Sequence, residues 1–256
     1  MATPSASEPH TKAWAAFEQN LDSISHMLTL GRRELTLLNT ATIRLTASVR
    51  KSPNLTAKKG VAKLRCSLER YNRTLQTRIE RFGTATLWQV VMLVTCVEAY
   101  LQDLLAMAAS VDSELMSKSQ QIAPYADIIS ATSLDELASK MRVRWARGWL
   151  SDGGPARWIS RLKRMGARGY PDGLAPRLER IWGIRHVIVH SAGVATSDFA
   201  KRHPGVVATA GDRVRVGGRD FLAFAEAVRS FLEPTERFFL ARYPSLLAAT
   251  STAKVK

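Results

Sequence analysis

Arg185, His186 and His190 stand together in the segment Ile184-Arg185-His186-Val187-Ile188-Val189-His190-Ser191-Ala192-Gly193, whose other residues fit a buried helix. Packing alone has little use for an arginine and two histidines there. A guanidinium can hold a phosphate and an imidazole can move a proton near neutral pH. Metal-free RNA cleavage demands those two functions. Arg185 and His190 are five residues apart, roughly 140° around a helix of 3.6 residues per turn, so they need not touch. His186 and His190 are one turn apart on nearly one face, where His186 can orient the catalytic group or the phosphate. Two histidines at that spacing can also share a zinc ion. Here no glutamate follows His186, and Cys66 and Cys96 lie far upstream without ligand spacing. The sequence therefore calls for no metal and no other cofactor. A purely structural reading is also open. Cations near a helix carboxyl end oppose its dipole, and Glu98, a carboxylate in the most apolar stretch of the chain, can be an ion-pair partner for Arg185.

The elements that must position these residues read as helices. Residues 1–10 are rich in Ala, Ser, Thr and Pro and are expected to be disordered. From Lys12 to about Arg50, Trp14, Phe17, Leu21, Ile24, Leu28, Leu35, Leu38 and Ile43 recur at threes and fours, which predicts one or two amphipathic helices broken near Gly31. Ser52-Pro53-Asn54 predicts a turn, and residues 58–81 a helix with a strongly charged face. Thr84 or Thr86 can cap the next helix. Its residues Leu87, Val90, Val91, Val94, Val97, Leu101, Leu104 and Leu105 cover so much of the circumference that it must be central. Ser133-Leu134-Asp135-Glu136 is a capping box opening a helix to about Trp149. Asp152-Gly153-Gly154-Pro155 breaks the chain before a short helix through Met165. Residues 166–173 read as a loop, and residues 174–190 as the motif helix, with Leu178, Ile181, Trp182, Ile184, Ile188 and Val189 facing inward. Val206-Val207-Ala208 and Val214-Arg215-Val216 flank Gly211-Asp212 as a small β-hairpin. A last helix is expected from about Asp220 to Tyr243, kinked or restarted at Pro234, before a tail that frays.

Composition sets what can approach. At 256 residues, with 46% apolar residues, the chain can bury a sizeable core. The formal net charge of +15 and a sequence pI near 10.4 favour polyanions. Two cysteines, and the lack of a charged start followed by an apolar stretch and a cleavage site, argue against a disulfide framework and a secretory route, and a cytoplasmic setting is expected. The apolar stretch of residues 87–109 carries Gln89, Glu98, Gln102 and Asp103, which disfavours a membrane span. Residues 140–168 gather Lys140, Arg142, Arg144, Arg147, Arg157, Arg161, Lys163, Arg164 and Arg168 against the single acid Asp152, with Trp145, Trp149 and Trp158 interleaved. Cations beside aromatic faces suit single-stranded RNA. Each tryptophan taken singly is more economically read as core.

Arg185-His186-Val187-Ile188-Val189-His190 resembles the motif of the HEPN superfamily: arginine, usually a polar residue, three further positions, then histidine. Glu98-Ala99-Tyr100-Leu101-Gln102-Asp103-Leu104-Leu105 is similar to the acidic, aromatic and leucine run in an earlier helix of several HEPN families, and Ile181-Trp182-Gly183-Ile184 leads into the motif in similar fashion. The resemblance covers roughly residues 84–243 and is to the prokaryotic RiboL-PSP and MAE-type groups, without distinguishing them; residues 1–83 resemble no family. It implies an all-α, HEPN-like helical bundle, here with additional N-terminal helices at 11–83, the small hairpin after the motif helix and a flexible tail at 244–256. It also implies a homodimer whose motif helices face one another across a composite cleft, and metal-independent endoribonuclease activity. On that resemblance Arg185 binds and polarises the scissile phosphate, His190 is the general base or acid for attack by the ribose 2′-hydroxyl, His186 fills a position that is often Asn or Asp, and Glu98 helps order the site. RNA would be gathered by Arg142, Arg144, Arg147, Arg157, Arg161, Lys163 and Arg164. DNA, lacking the internal nucleophile, should survive.

Three functions remain open on the sequence. The first is a toxin or defence ribonuclease, restrained by an antitoxin or a sensor protein. The second is a non-catalytic HEPN module that binds RNA, nucleotide or a protein partner. The third is a basic nucleic-acid-binding protein whose histidine pair is incidental, with salt-sensitive binding to RNA and DNA alike.

Overall fold

The fold is that of a computed structural model that describes residues 10–51, 58–117, 123–207 and 209–248. The described residues are all-α, with no regular strand among them. Two long helices dominate: α1 (Lys12–Lys51) and α2 (Lys58–Val111). A 3-10 turn at Ser113–Met116 and α3 (Tyr125–Ser130) lead into α4 (Leu134–Ser151) and α5 (Pro155–Met165). The motif helix α6 (Leu174–His190) follows, then α7 (Ser197–Arg202), α8 (Gly218–Arg242) and α9 (Ser245–Ala248).

α2 is the central helix, as its apolar circumference requires. Val90, Leu93, Val94, Val97 and Leu104 have no accessible surface, and α1, α4, α6 and α8 all pack on this helix. Trp14, Phe17, Leu21, Ile24 and Leu28 bury the first turns of α1 in that core, alongside Leu178, Ile181 and Ile184 of α6 and Phe221, Val228, Phe231 and Leu232 of α8. Each such side chain contributes about 1.5–3 kcal/mol on burial. Residues 12–28 thus share one core with the motif helix, and α2 runs across residue 83 without interruption.

Several expectations change. α1 has no break at Gly31, which sits inside the helix because Phe82 of α2 packs on it: a Cβ there would lie 2.5 Å from Phe82 Cε2. Thr86 is not a cap but an interior residue whose hydroxyl donates to the Phe82 carbonyl one turn back, and Thr84 also lies within α2. In place of a hairpin between 206–208 and 214–216, the described residues carry an isolated antiparallel bridge, Val194 with Arg213. Ala195 N–H donates to Asp212 O at 2.8 Å and Val214 N–H to Gly193 O at 2.9 Å, so the segment leaving α6 captures the 211–214 turn. Val207, Val214 and Val216 are buried without forming a ladder. α8 is one helix through Pro234 and does not restart there. It begins at Gly218, where the Asp220 carboxylate accepts the Gly217 N–H at 2.9 Å. The tail expected to fray from 244 instead opens with α9, where Leu246 is buried in the core and its N–H donates to Tyr243 O at 3.0 Å; the expectations for residues 1–9, 52–54, 208 and 249–256 lie outside the described residues.

Local signals set the remaining boundaries. Ser133 Oγ caps α4 by accepting the Glu136 N–H at 3.1 Å. Glu136 reaches back to the Thr132 N–H and hydroxyl, each at 2.7 Å, and pairs with Lys140 at 2.8 Å. Lys140 first, then Thr132, hold its carboxyl down to about 2. Gly154-Pro155 opens α5, and Gly166, with φ of 109°, closes it in the left-handed conformation that favours glycine.

Candidate functional site

α6 ends where its sequence turns small and polar. Ala192 and Gly193 take φ of 49° and 80°, and the Gly193 N–H returns to the Val187 carbonyl at 3.1 Å. The Gly193 position abuts Leu87 of α2, with 3.9 Å between its would-be Cβ and Leu87 Cδ1. The last turn of α6, carrying His186 and His190, is thereby fixed against the central helix. The two imidazoles are exposed and lie together, ring centroids 4.5 Å apart and tilted by 42°. The helical spacing anticipated that pairing.

Arg185 is half-buried, and its Nε is shielded from solvent without a hydrogen-bond partner among the described residues. The same holds for Arg180 Nε. Both arginines line an open cleft of about 1020 Å³ between α6 and α7, together with Trp182, Gly183, His186, Arg202 and His203, and with the acids Glu179 and Asp198. The sequence reading passed over Arg180, Arg202 and His203. Arg180 lies about one and a half turns before Arg185 on α6, and Arg202 and His203 end a Thr196-capped helix placed a short turn after the motif. His203 packs on Gly183, where a Cβ would lie 2.8 Å from its Nε2, and its ring meets Phe199 at 4.9 Å. Burial, followed by the charges of Arg202 and Arg180, pushes its pKa below the ordinary histidine value, with Glu179 opposing. Three guanidiniums, those of Arg180, Arg185 and Arg202, line the cleft against two carboxylates, Glu179 and Asp198, a cationic balance that suits an anion.

Glu98 does not pair with Arg185. Its Oε1 accepts the indole N–H of Trp182 at 2.9 Å, and Trp182 in turn packs edge-on against Trp158 at 5.4 Å. The carboxylate therefore holds the face of α6 one turn before Arg185–His186. His190 lies outside the lining of the cleft and reaches it through its contact with His186.

The basic field on α4 and α5 is more paired than its sequence suggests. Arg144 bridges to Asp127 at 2.6 Å, and Asp152 takes both Arg157, at 3.0 Å, and Arg161. Arg161 also donates to Trp149 O at 2.6 Å and lies over the Trp149 ring, and Arg147 Nε donates to Gln102 at 2.9 Å. Arg142 lines a separate small cleft with Lys12 and Asp103. Lys163 and Arg164 are exposed and have no ion pair among the described residues. Trp158 is a core residue whose N–H is used by Leu150 O at 3.0 Å, while Trp145 and Trp149 are half-buried against the core.

Among the described residues no three His, Cys, Asp or Glu side chains gather closely enough to hold a metal ion. The stretch Phe82–Val111 is long and apolar enough to cross a bilayer, and half of its apolar window is buried within the fold. No protein-family model, curated protein or solved structure matches this chain.

Proposed function

We propose that the chain is a metal-independent endoribonuclease of the HEPN type, acting in the cytoplasm as a toxin or defence effector. The observation that carries this reading is the cleft lined by Arg180, Arg185 and Arg202 beside His186, itself in ring contact with His190. Arg185 binds a non-bridging oxygen of the scissile phosphate and offsets the charge that develops on it. One imidazole, His190 in the assignment implied by the resemblance, removes the proton from the ribose 2′-hydroxyl. The 2′-oxygen then attacks phosphorus, and the P–O5′ bond breaks. A protonated imidazole supplies the proton to the leaving 5′-oxygen, a role that His186 is placed to share. The products are a 2′,3′-cyclic phosphate and a 5′-hydroxyl.

The bundle formed by α2, α4, α5, α6 and α8 is read here as HEPN-like, with α6 as its motif helix. Val189, expected to face inward, is instead 42% exposed near the end of α6 because it falls on the outward side of the last turn; a homodimer is carried by the family resemblance alone. An antitoxin or sensor protein would restrain the enzyme.

A second reading, a non-catalytic module that binds RNA or a nucleotide, draws on two observations. Trp182 rather than Arg185 holds Glu98, and His190 stands outside the cleft lining. The two readings part when wild type, His190→Ala and Arg185→Ala are incubated with total cellular RNA in EDTA. The nuclease reading expects cleavage by wild type and a loss of about 10²–10⁴-fold in the variants, with His190→Ala folded because His190 is exposed and circular dichroism establishing the fold of Arg185→Ala. Intact RNA in every lane, bound by wild type and more weakly by Arg185→Ala, would transfer the site to the binding module.

A further inference from the structure

Most of the chain's net positive charge falls in a segment outside the cleft and outside α4 and α5. α1 and α2 run antiparallel: Trp14 meets Tyr100, Gly31 meets Phe82 and Glu34 meets Arg78. Burial ends at Leu28 on α1 and resumes at Thr86 on α2, and none of the described side chains between them is buried. From Thr29 to Lys51 the helix extends roughly 35 Å at 1.5 Å per residue. Residues 29–82 contain thirteen Lys and Arg against Glu34, Glu69 and Glu80, and so hold ten of the fifteen net charges. Arg32, Arg33, Arg44, Arg70 and Arg73 are exposed and have no ion pair among the described residues, whereas Arg78 is engaged by Glu34 at 2.5 Å. Arg33 and Arg44, eleven residues apart, fall within about 20° of one another around the helix and form a row.

We infer that this distal α1/α2 hairpin is an arm that binds the phosphate backbone of RNA by charge, independently of sequence. Charge complementarity selects the occupant. A second copy laid along the arm would set two strongly cationic surfaces together. A lipid surface wants a continuous apolar face, yet exposed Leu37 and Ile43 lie about 120° apart around α1. The arm's aromatics are Tyr71 and Phe82, and Phe82 is spent on Gly31, so a platform for stacking bases is lacking and the backbone is what is read. The arm is rooted beside the motif: Leu87, just past its base, touches the Gly193 position that ends α6. RNA laid along the arm is delivered to the histidine pair. The proposal rests on the ribonuclease reading only for the choice of RNA as the polyanion.

The test is made in the His190→Ala protein, so that binding is measured without cleavage. Arg32, Arg33, Arg44, Arg70 and Arg73 are changed together to Gln, which preserves helix propensity, and a control carries Arg215, Arg219 and Arg237 to Gln. Affinity for a 30-nucleotide RNA hairpin is measured from 50 to 300 mM NaCl, and circular dichroism establishes that each variant folds. The arm variant should lose about a hundredfold in affinity near 150 mM salt, and its log–log salt slope should become shallower by roughly 3–5, while the control stays within about threefold. Equal losses in arm and control variants, an unchanged arm variant, or binding to phosphatidylserine vesicles in place of RNA would each overturn the proposal. Failure of the nuclease reading shows separately, as absence of cleavage by the wild type while arm-dependent RNA binding persists.

Discussion

Replacing Glu236 with Leu should destabilise the fold far more than an average substitution, because two buried donors depend on that carboxylate. Glu236 is 1% exposed on α8; Oε1 accepts the Thr11 N–H and Oε2 accepts the Tyr100 hydroxyl, each at 2.7 Å. Thr11 and Tyr100 are themselves buried, and Thr11 Oγ1 accepts the Trp14 N–H at 3.2 Å, so the carboxylate fastens the start of α1 to α2 and α8. Burial first, and then the Glu236 charge, push the Tyr100 hydroxyl well above its ordinary pKa, so it stays a donor throughout the working range. Leucine leaves both donors unpaired, at about 1–3 kcal/mol each, and its apolar packing returns part of that. The net loss should be about 2–4 kcal/mol, a fall of roughly 5–15 °C in Tm for a chain of this size. Urea unfolding followed by circular dichroism reads it as a lower midpoint at unchanged slope. Adding Tyr100→Phe removes one orphaned donor, so the double variant should be no less stable than Glu236→Leu alone. A Tm within 2 °C of wild type for Glu236→Leu would refute the reasoning.

Gly31→Ala should destabilise by about 1 kcal/mol despite alanine's better helix propensity, since its Cβ meets Phe82 at 2.5 Å; a rise in unfolding midpoint would show that Phe82 swings aside freely. Trp182→Phe strips Glu98 of its donor and should lower stability by about 1–3 kcal/mol. If Glu98 positions the site, the same change lowers the cleavage rate at saturating RNA more than it raises KM; unchanged stability and rate would remove Glu98 from the account. The depressed pKa of His203 means that the unfolded chain binds its proton more readily. Its contribution is therefore present above the ordinary value of 6.5 and lost as pH falls through the folded value, so stability should decline on acidification from pH 7 and decline less steeply in His203→Gln. Identical slopes for the two proteins would contradict that assignment.

The sequence was most legible where structure is set locally. Ser133, Gly154-Pro155, Gly166 and the stretch after Gly173 mark boundaries through caps and turns of a few residues, and α4, α5 and α6 follow them closely. It was least legible where a distant partner decides. Gly31 reads as a break until Phe82 is packed on it, and Thr86 reads as a cap until α2 is seen to pass through it. The paired valines after α6 read as a hairpin because Val194, the residue that bridges to Arg213, lies outside the local pattern. At the site, the four-residue spacing foretold the contact of His186 with His190, whereas the partner of Glu98 was an indole rather than the neighbouring guanidinium. The residues 140–168 looked almost free of acid because Asp127 and Glu136, which take up Arg144 and Lys140, precede that stretch. Glu236 left a faint signal: it falls four residues after buried Leu232 and three before Phe239, on the inward face of α8.

The proposed metal-free cleavage of RNA through the ribose 2′-hydroxyl is tested by end-group analysis of fragments made in EDTA, with a matched substrate bearing a single 2′-deoxynucleotide at the scissile position. The nuclease should leave 2′,3′-cyclic phosphate and 5′-hydroxyl ends on the all-ribose substrate, with no cleavage at the deoxy position and neither product from His190→Ala. Cleavage at the deoxy position, or 5′-phosphate ends, would contradict it.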